Sequence, residues 1–289
     1  MNPFKIRIMI GNVWRKVLFI ILNQRLLREK VIFHLKQYYY SELEFKVGIG
    51  NELVCPIADP SAQYSLTEIF FDDEYKQVFD LIDLPKRWLD LGCHYGFFSL
   101  YAAGLARRNS RSAFYALLVD ADSRVYYGID SLIRLNCLYS SFIFKHGAVA
   151  AGSGEVSFLE QDVMSSSLAD LTTETSRLSA KAVPIIDQDV ILSLLAPPYD
   201  LVKIDVEGGE YDFFVFYDKI LANTKNIVVE WHSWHRGGGG KQQIVELAES
   251  RGFRLLKEVQ QDKVCGNPGD GIMVGVLLFT KPDVTMLTL

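Results

Sequence analysis

The distribution of apolar residues changes near residue 86. From there to the C-terminus, short apolar runs such as RWLDLGC (87–93) alternate with stretches such as FFSLYAAGLARR (97–108), where apolar residues recur at helical spacing. The predicted strands cover 87–93, 114–120, 142–150, 199–206, 226–232, 253–259 and 271–281, and the predicted helices cover 97–108, 123–138, 210–221 and 241–252. Strands that alternate with helices predict a mostly parallel sheet covered on both faces.

The predicted fold class is therefore α/β, with a Rossmann-like sheet of seven strands. The strands 253–259 and 271–281 follow each other without a helix between them, so the last strand is predicted to be antiparallel. The Ser-rich segment 152–180 shows no regular pattern and is predicted to be irregular.

The first third of the chain follows a different pattern. Residues 1–40 look helical and basic, and the β-like segments LEFKVGIG and NELVCPI around 48–51 predict a hairpin. DDEYKQVFDLIDL (72–84) predicts a helix that ends at the following proline. We therefore predict an N-terminal basic extension with a small hairpin at 1–71, and a main domain at 72–289.

Charge and composition narrow the class of protein. The chain has 289 residues, of which 49% are hydrophobic, enough for one large domain with an appendage. Residues 1–40 carry eight Lys/Arg and one acid, whereas the rest carry 22 basic and 34 acidic residues. An acidic main body is a poor match for a phosphate backbone, so nucleic acid is not an expected partner. The basic N-terminus leaves peripheral contact with an anionic membrane open.

The spacing of the cysteines and the length of the apolar runs indicate the cellular compartment of the protein. The four cysteines form no CxxC pair, which argues against a zinc site and fits a reducing cytosol. The apolar run 17–22 is too short to span a bilayer. We therefore expect a cytoplasmic protein without a transmembrane segment, with peripheral membrane contact through its N-terminus as an open alternative. The sequence does not predict its oligomeric state.

The first predicted strand ends in a turn typical of nucleotide sites. WLDLGCHYGFF places Asp90, Gly92, His94 and Gly96 between a strand and a helix, where backbone N–H groups can meet a ligand. The spacing is not the G-x-G-x-x-G that binds NAD, which makes an NAD-dependent oxidoreductase a weak alternative. An acid two residues before the first glycine can instead accept hydrogen bonds from an ammonium, which adenosylmethionine has and NAD lacks.

Two acids follow the second predicted strand. Asp120 is predicted to accept the ribose hydroxyls of a nucleoside, although it could equally cap the next helix. Asp122, two residues on, and Ala148, near the end of the third strand, complete the predicted cofactor-binding residues.

These segments carry a family resemblance. DLGCHYGFFSL, the later LVKIDVEGGE and the still later NIVVEWH resemble the FkbM family of S-adenosylmethionine-dependent methyltransferases over roughly residues 60–260. His94 stands where the family usually has Asn, and Ala121 stands where Pro is common. The resemblance implies a class I methyltransferase fold, S-adenosylmethionine as cofactor, and methylation of a hydroxyl on a saccharide or specialised metabolite.

Four residues at the ends of later strands are predicted to be catalytic. The predicted set is His232, Asp205, Glu230 and Glu207. All follow or end parallel strands, where open α/β sheets bind ligands, and a histidine there suits a base near neutral pH. His232 could also be an ordinary hydrogen-bonded histidine and Asp205 a turn residue. Asp205 with Glu230 could alternatively hold Mg²⁺.

Two neighbouring residues receive no catalytic role from the sequence. Glu210 is interpreted as the acidic start of a helix, where its charge favours the helix dipole. Lys203 is interpreted as a buried or ion-paired residue. The predicted function is S-adenosylmethionine-dependent O-methyl transfer to a small-molecule or glycan acceptor; a non-catalytic module that keeps the cofactor pocket is the other alternative.

Overall fold

The structure is a computed structural model that describes residues 39, 45–50, 52–109, 113–159, 167–168, 180–233, 239–265 and 272–282. The predicted basic helix of the N-terminus and its membrane contact therefore lie almost entirely outside the described residues.

The described elements alternate strands and helices. In chain order, they are β1 Phe45–Ile49, β2 Leu53–Ile57, α1 Pro60–Phe70, α2 Lys76–Leu81, β3 Arg87–Leu91, α3 Phe97–Arg108, β4 Tyr115–Asp120, α4 Tyr126–Leu135, β5 Phe142–His146, β6 Glu155–Leu159, β7 Ser167–Leu168, β8 Ala180–Pro184, α5 Gln188–Leu194, β9 Tyr199–Ile204, α6 Glu210–Phe216, α7 Asp218–Ala222, β10 Thr224–His232, α8 Lys241–Ser250, β11 Arg254–Cys265 and β12 Ile272–Thr280.

The central sheet has the predicted seven strands. Their order is β11-β12-β10-β9-β3-β4-β5. β12 runs antiparallel to both of its neighbours, and the pairs on the other side of β10 are parallel. The prediction of a mostly parallel class I methyltransferase sheet with an antiparallel last strand is confirmed. β9 pairs directly with β10, so the strands that end near residues 206 and 232 are neighbours, as the prediction of one shared site requires.

Strand alternation separates two apolar clusters on the two faces of the sheet. In β9, Leu201 packs into one cluster, while Val202 and Ile204 pack into the other. Lys203 and Asp205 therefore share the face of Leu201, because successive side chains point to opposite faces. This face carries the polar residues that end β9 and β10, and it is the face covered by α2 and α3.

The segment before the main sheet is more regular than its sequence pattern indicates. The hairpin β1–β2 forms as predicted, with Ile49 paired to Leu53. The unpredicted helix α1 begins after Asp59, whose side chain accepts the N–H of Ala62 at 3.0 Å. The helix predicted at 72–84 is shorter, since Asp73 adopts a positive φ of 56° and α2 begins only at Lys76.

The hairpin and α1 contribute to the same core as the sheet. Leu53, Cys55 and Leu66 are buried in the cluster that also contains Phe97. The side chain of Asn136 ties β2 to α4, because it accepts the N–H and donates to the carbonyl of Val54 at 2.9 and 2.7 Å. The domain boundary between 71 and 72 stays a prediction.

The segment 152–180, predicted as irregular, contains strands. β6 pairs antiparallel with β7 and β8 in a separate three-stranded sheet. Phe158 of β6 packs against Ala148 and Val183, so the strand is stabilised by contacts distant in sequence. The strand predicted at 142–150 ends earlier, at His146. In the part of the chain that the structure describes, no helix is long and apolar enough to cross a membrane.

Candidate active site

A cavity of about 550 Å³ lies at the carboxyl end of the central parallel strands. It is lined by most of the predicted site residues: Gly92, His94, Asp120, Asp122, Ala148, Asp205, Glu207, Glu230 and His232. Asp90 and Gly96 are not part of its wall. The sequence prediction that the strand ends meet at one site therefore agrees with the geometry.

The turn after β3 depends on close backbone packing. Gly92 has a φ of 73°, and a Cβ atom there would lie 1.6 Å from the carbonyl oxygen of Asp205. Its N–H and that of Cys93 both donate to the carbonyl of Val119, at 2.9 and 3.0 Å. The turn is therefore fixed between β4 and the end of β9, and only glycine fits it. Gly96, with a φ of 74°, precedes α3, and a Cβ atom there would lie 2.9 Å from a methyl carbon of Leu118.

Asp90 lies beneath this turn, fully buried. One carboxylate oxygen accepts the hydroxyl of Ser99 at 2.7 Å, and the other has no hydrogen-bond partner and lies 3.8 Å from Lys203 Nζ. Burial raises the pKa of Asp90, and the neighbouring Lys203 opposes that rise. Asp90 is therefore placed to hold Lys203 from below, and its predicted contact with a cofactor stays a prediction.

Asp120 is held by backbone donors. Its two oxygens accept the N–H groups of His94 at 2.6 Å and Asp122 at 2.8 Å. Burial raises its pKa to about 7. Each carboxylate oxygen has a second lone pair, so the group can still accept a hydroxyl. The capping role that the sequence left open for Asp120 belongs to Asp122, which accepts the N–H of Arg124 at 2.9 Å and pairs with its guanidinium.

The start of α1 forms a wall of the cavity that the sequence analysis did not predict. Asp59, Ser61 and Ser65 line the cavity beside His94. Asp59 accepts hydrogen bonds from the hydroxyls of Tyr95 and Ser61 as well as the N–H of Ala62. The available signal was an Asp followed by Pro60 at the first helical position, a pattern typical of helix N-termini.

His232 is bound by two carboxylates. Its Nδ1 lies 3.0 Å from Glu210 Oε1, and its Nε2 lies 3.5 Å from Glu207 Oε2. Both His232 and Glu210 are buried. Burial alone would lower the pKa of His232, but the carboxylates of Glu207 and Glu210 outweigh this and raise it well above its usual value.

Glu210 has a larger role than the sequence interpretation gave it. It does begin α6, as predicted, but its carboxylate also accepts the N–H groups of Val206 at 3.1 Å and Gly208 at 3.0 Å. The same carboxylate contacts His232. Glu210 thus connects the loop after β9 to the end of β10, a contact across 22 positions that helical or strand periodicity does not predict.

Glu207 sits in the same loop in an unusual conformation. Its φ is 52°, a left-handed value that is costly for a residue with a Cβ. Its Oε2 is buried and has no hydrogen-bond partner. Burial raises its pKa to about 8, with His232 opposing the rise. The backbone hydrogen bonds to Glu210 hold the loop in this conformation, with the Glu207 carboxyl at the cavity.

Lys203, which received no role from the sequence, lies at the centre of the site. Its ammonium donates to Gly92 O at 2.7 Å and to Asp205 Oδ2 at 2.9 Å. Burial acts to lower its pKa, but Asp205 and Asp90 outweigh this effect and raise it. The side chain therefore stays charged and links the turn after β3 to the acids that follow β9.

Glu230 faces the part of the cavity under α2. Its carboxylate accepts the hydroxyl of Tyr75 at 3.3 Å, and burial raises its pKa well above the usual value. Nearby, Gln260 donates to Glu74 at 2.5 Å, and burial raises the pKa of Glu74 to about 7. Lys263 of β11 also lines this part of the cavity. These polar groups, from the residues just before α2 and from β11, were not predicted as site residues.

One group of potential metal ligands lies in the described part of the chain. Ligand atoms of Asp205, Glu207 and His232 lie within 4.8 Å of one another. The sequence analysis predicted Asp205 and Glu230 as possible metal ligands. The group found in the structure contains Asp205 but has Glu207 and His232 in place of Glu230.

A comparison with protein families decides the family of the chain. A sequence model described as the methyltransferase FkbM domain matches residues 90–255, more than half of the chain. The chain belongs to the FkbM methyltransferase family. The match runs from the end of β3 to the start of β11, and thus includes the turn after β3 and both strand ends of the acidic site. The expectation of a methyltransferase is confirmed, while α1 and α2 lie before the matched region.

Solved structures of low sequence identity also resemble this methyltransferase. One is the magnesium protoporphyrin IX methyltransferase of Synechocystis PCC 6803 with bound SAM, at 10% identity and a TM-score of 0.45, covering 88% of this chain and 96% of that one. Another is TYW2 of M. jannaschii in complex with AdoMet, at 13% identity and a TM-score of 0.44, covering 83% and 87%. A third, StiE O-MT, has 12% identity, a TM-score of 0.47 and 77% coverage of each chain. A comparison with curated proteins found no match.

Proposed function

We propose that this methyltransferase transfers a methyl group from S-adenosylmethionine to a hydroxyl of a saccharide or specialised metabolite. The observation that carries the proposal is the Glu210–His232 pair at the end of β10, with Nε2 of the imidazole directed to the cavity side of Glu207. A hydroxyl acceptor must lose a proton, and a buried histidine held by a carboxylate is suited to take it.

The side of the cavity around the turn after β3 fits a cationic nucleoside. S-adenosylmethionine, when bound, supplies an activated methyl group on a sulfonium and also carries an ammonium. The wall contains more carboxylates than fixed cations: Asp59, Glu68, Glu74, Asp120, Asp122, Asp205, Glu207 and Glu230 against Arg124, Lys203 and Lys263. Carboxyl oxygens accept hydrogen bonds in either charge state, so this wall suits a ligand that carries an ammonium and hydroxyl groups. Asp120 is available for ribose hydroxyls, and the Gly92 turn brings backbone close to them.

The proton step follows from the contacts of His232. Glu210 accepts a hydrogen bond from Nδ1–H, which places the lone pair of the ring on Nε2 whenever the ring is neutral. Glu207 lies 3.5 Å from Nε2 and stabilises the imidazolium that forms after proton transfer. Asp205, fixed by Lys203, lies beside them. The chain's residues thus orient the acceptor and hold its proton, since alignment and proton removal are what methyl transfer requires.

The chemical class of the methyl acceptor is proposed from the polar groups that line the cavity near α2. Tyr75, Glu74, Glu230 and Gln260 offer several hydrogen-bond donors and acceptors in one part of the cavity. Such a wall suits a ligand with several hydroxyl groups. The acidic wall also supports the proposal that nucleic acid is not the acceptor. A cytoplasmic location is proposed from the separated cysteines, and membrane contact through residues 1–40 is proposed from their positive charge.

The test is methyl transfer with identified products. Cell extracts, free sugars and hydroxylated metabolites are incubated with methyl-labelled S-adenosylmethionine, and the product is identified by mass spectrometry and by its methoxyl NMR signal. His232→Asn is expected to reduce kcat about 100-fold or more, whereas His146→Asn, outside the cavity wall, retains activity. Transfer to nitrogen or carbon, or full activity of His232→Asn, would refute the proposal.

Metal dependence is tested separately. The cluster of Asp205, Glu207 and His232 offers oxygen and nitrogen ligands for a divalent ion. If Mg²⁺ takes part, dialysis against a chelator abolishes turnover and Mg²⁺ restores it. If turnover survives chelation, the proton step belongs to His232 alone.

A further inference from the structure

His94 stands in the turn after β3 with one ring nitrogen unexplained. Its Nε2 lies 3.2 Å from Ser61 Oγ, but its Nδ1 is buried and has no hydrogen-bond partner. His94 lines the cavity, and its φ of 48° is a left-handed value. A buried polar atom without a partner is costly and marks a place where a ligand or water is expected.

The contacts of Ser61 determine which nitrogen of His94 carries the proton. Ser61 donates its only hydroxyl proton to Asp59 Oδ1 at 2.7 Å. Burial alone would raise the pKa of Asp59, but hydrogen bonds from Tyr95, Ala62 and Ser61 outweigh this and lower it. Asp59 is therefore ionised and can only accept. Ser61 Oγ must then accept from His94, so the proton of the ring lies on Nε2.

The charge state of the ring follows from its environment. Burial lowers the pKa of His94 to about 4, so the imidazole is neutral at pH 7. A neutral ring with its proton on Nε2 has a bare lone pair on Nδ1. This nitrogen can accept a hydrogen bond and cannot donate one. A carboxylate is therefore not a suitable partner, whereas an ammonium is.

We propose that Asp59 and Ser61 are positioning residues that fix His94 so that Nδ1 accepts a hydrogen bond from the ammonium group of the bound methyl donor. The inference rests on the proposed use of S-adenosylmethionine. His94 interacts electrostatically with the three acids Asp59, Asp205 and Asp122 and with one cation, Lys203. The acids outnumber the cation, which favours a positively charged ligand group beside the ring. The nucleoside part of the donor is assigned instead to Asp120.

Two ligands separate the ammonium from the nucleoside. S-adenosylhomocysteine contains the amino acid part, and 5′-methylthioadenosine lacks it but keeps adenine and ribose. Isothermal titration of both ligands to His94→Ala is expected to show a loss of affinity on the order of 10-fold for S-adenosylhomocysteine and none for methylthioadenosine. His94→Asn, which restores a side-chain acceptor and tolerates a positive φ, is expected to recover most of the affinity.

The hydrogen bonds that connect Asp59, Ser61 and His94 are tested by a second, matched pair of variants. Ser61→Ala removes the group that fixes the ring and is expected to weaken S-adenosylhomocysteine about 2- to 10-fold. Ser193→Ala, an exposed change on α5 outside the cavity wall, is expected to change neither affinity. Ser61→Ala keeps the proposal testable if His94→Ala fails to fold in a thermal unfolding control.

The outcomes distinguish two failures. If the wild-type protein binds neither ligand, the proposed methyl donor is wrong and the inference falls with it. If the wild-type protein binds S-adenosylhomocysteine but His94→Ala binds it equally well, only the inference is wrong and Nδ1 contacts water. An equal loss for both ligands in His94→Ala would also overturn it, since Nδ1 would then serve the nucleoside.

Discussion

The two sides of the cavity hold their acids in different ways. Beside β3 and β4, the oxygens of Asp120 accept backbone N–H groups, and Gly92 fixes the turn by its contact with Asp205. Beside β9 and β10, the carboxylates of Glu207 and Glu210 contact the titratable ring of His232. Backbone donors do not change charge with pH, whereas the imidazole does. The donors that hold Asp120 are therefore the same at every pH, although the pKa of Asp120 itself is about 7, whereas the second side adds a base that can take up a proton from a ligand.

The largest expected effect tests the side beside β3 and β4. Gly92→Ala places a methyl group 1.6 Å from a backbone oxygen, so the turn or the end of β9 must move. We expect the free energy of unfolding to fall by at least about 3 kcal/mol, with loss of S-adenosylhomocysteine binding. Urea unfolding and isothermal titration measure both.

The control for this variant isolates steric contact from backbone strain. Gly252 has a comparable φ of 83°, but a Cβ atom there would meet nothing within 4 Å. Gly252→Ala should therefore cost only about 1 kcal/mol and leave binding intact. Equal costs for the two variants would show that the close approach of Gly92 to Asp205 does not matter.

The second effect tests the side beside β9 and β10. Glu210→Gln removes one of the three acids, Glu207, Glu210 and Asp205, that raise the pKa of His232. If His232 is the base, wild-type kcat/KM rises with pH through a value above the usual 6.5, because the base must be deprotonated. In Glu210→Gln this limb should shift to lower pH, and kcat should fall roughly 10- to 100-fold because the ring is less well held.

The pH profile distinguishes a role of Glu210 in positioning His232 from a role in stabilising the fold. Glu246→Gln, an exposed change on α8, serves as the control and should leave the profile unchanged. A variant that loses only thermal stability, with its acid limb in place, would contradict the role of Glu210 as the residue that positions His232.

The two sides of the cavity also differ in how well the sequence predicted their residues and contacts. Gly92 and Asp120 could be placed because they occupy fixed positions relative to one strand end. The pairing of Glu210 with His232 could not, because it depends on the register that sets Val229 beside Ile204. Local pattern specifies which side chains end a strand, and register specifies which of them touch.

The missed wall residues have a similar cause. Gln260 and Lys263 reach the cavity from β11, whose pairing with β12 shifts register between Glu258 and Gln260 and again before Lys263. Such irregularities change which face a side chain occupies, so simple alternation does not place these residues. The start of α1 was missed because strand-like segments precede it.

The smallest expected effect concerns the stability cost of the acidic side. Glu74 is predicted to titrate near 4.5 in the unfolded chain and near 7 in the folded one. The folded state then holds the proton more tightly, so the contribution of Glu74 to stability is present below pH 4.5 and is lost as pH rises through 7. Glu74→Gln removes this loss and should raise the free energy of unfolding by about 1–2 kcal/mol at pH 8, with little change at pH 4.

Urea unfolding at both pH values measures the difference, with the exposed Glu249→Gln as a matched control. The amide oxygen of the new side chain can still accept from Gln260, so packing is conserved. If Glu74→Gln is no more stabilising at pH 8 than at pH 4, burial of this carboxyl has no net cost. Burial of the acids near Glu230 would then not destabilise the fold. The contrast between the two sides of the cavity would rest on the titratable ring of His232 alone.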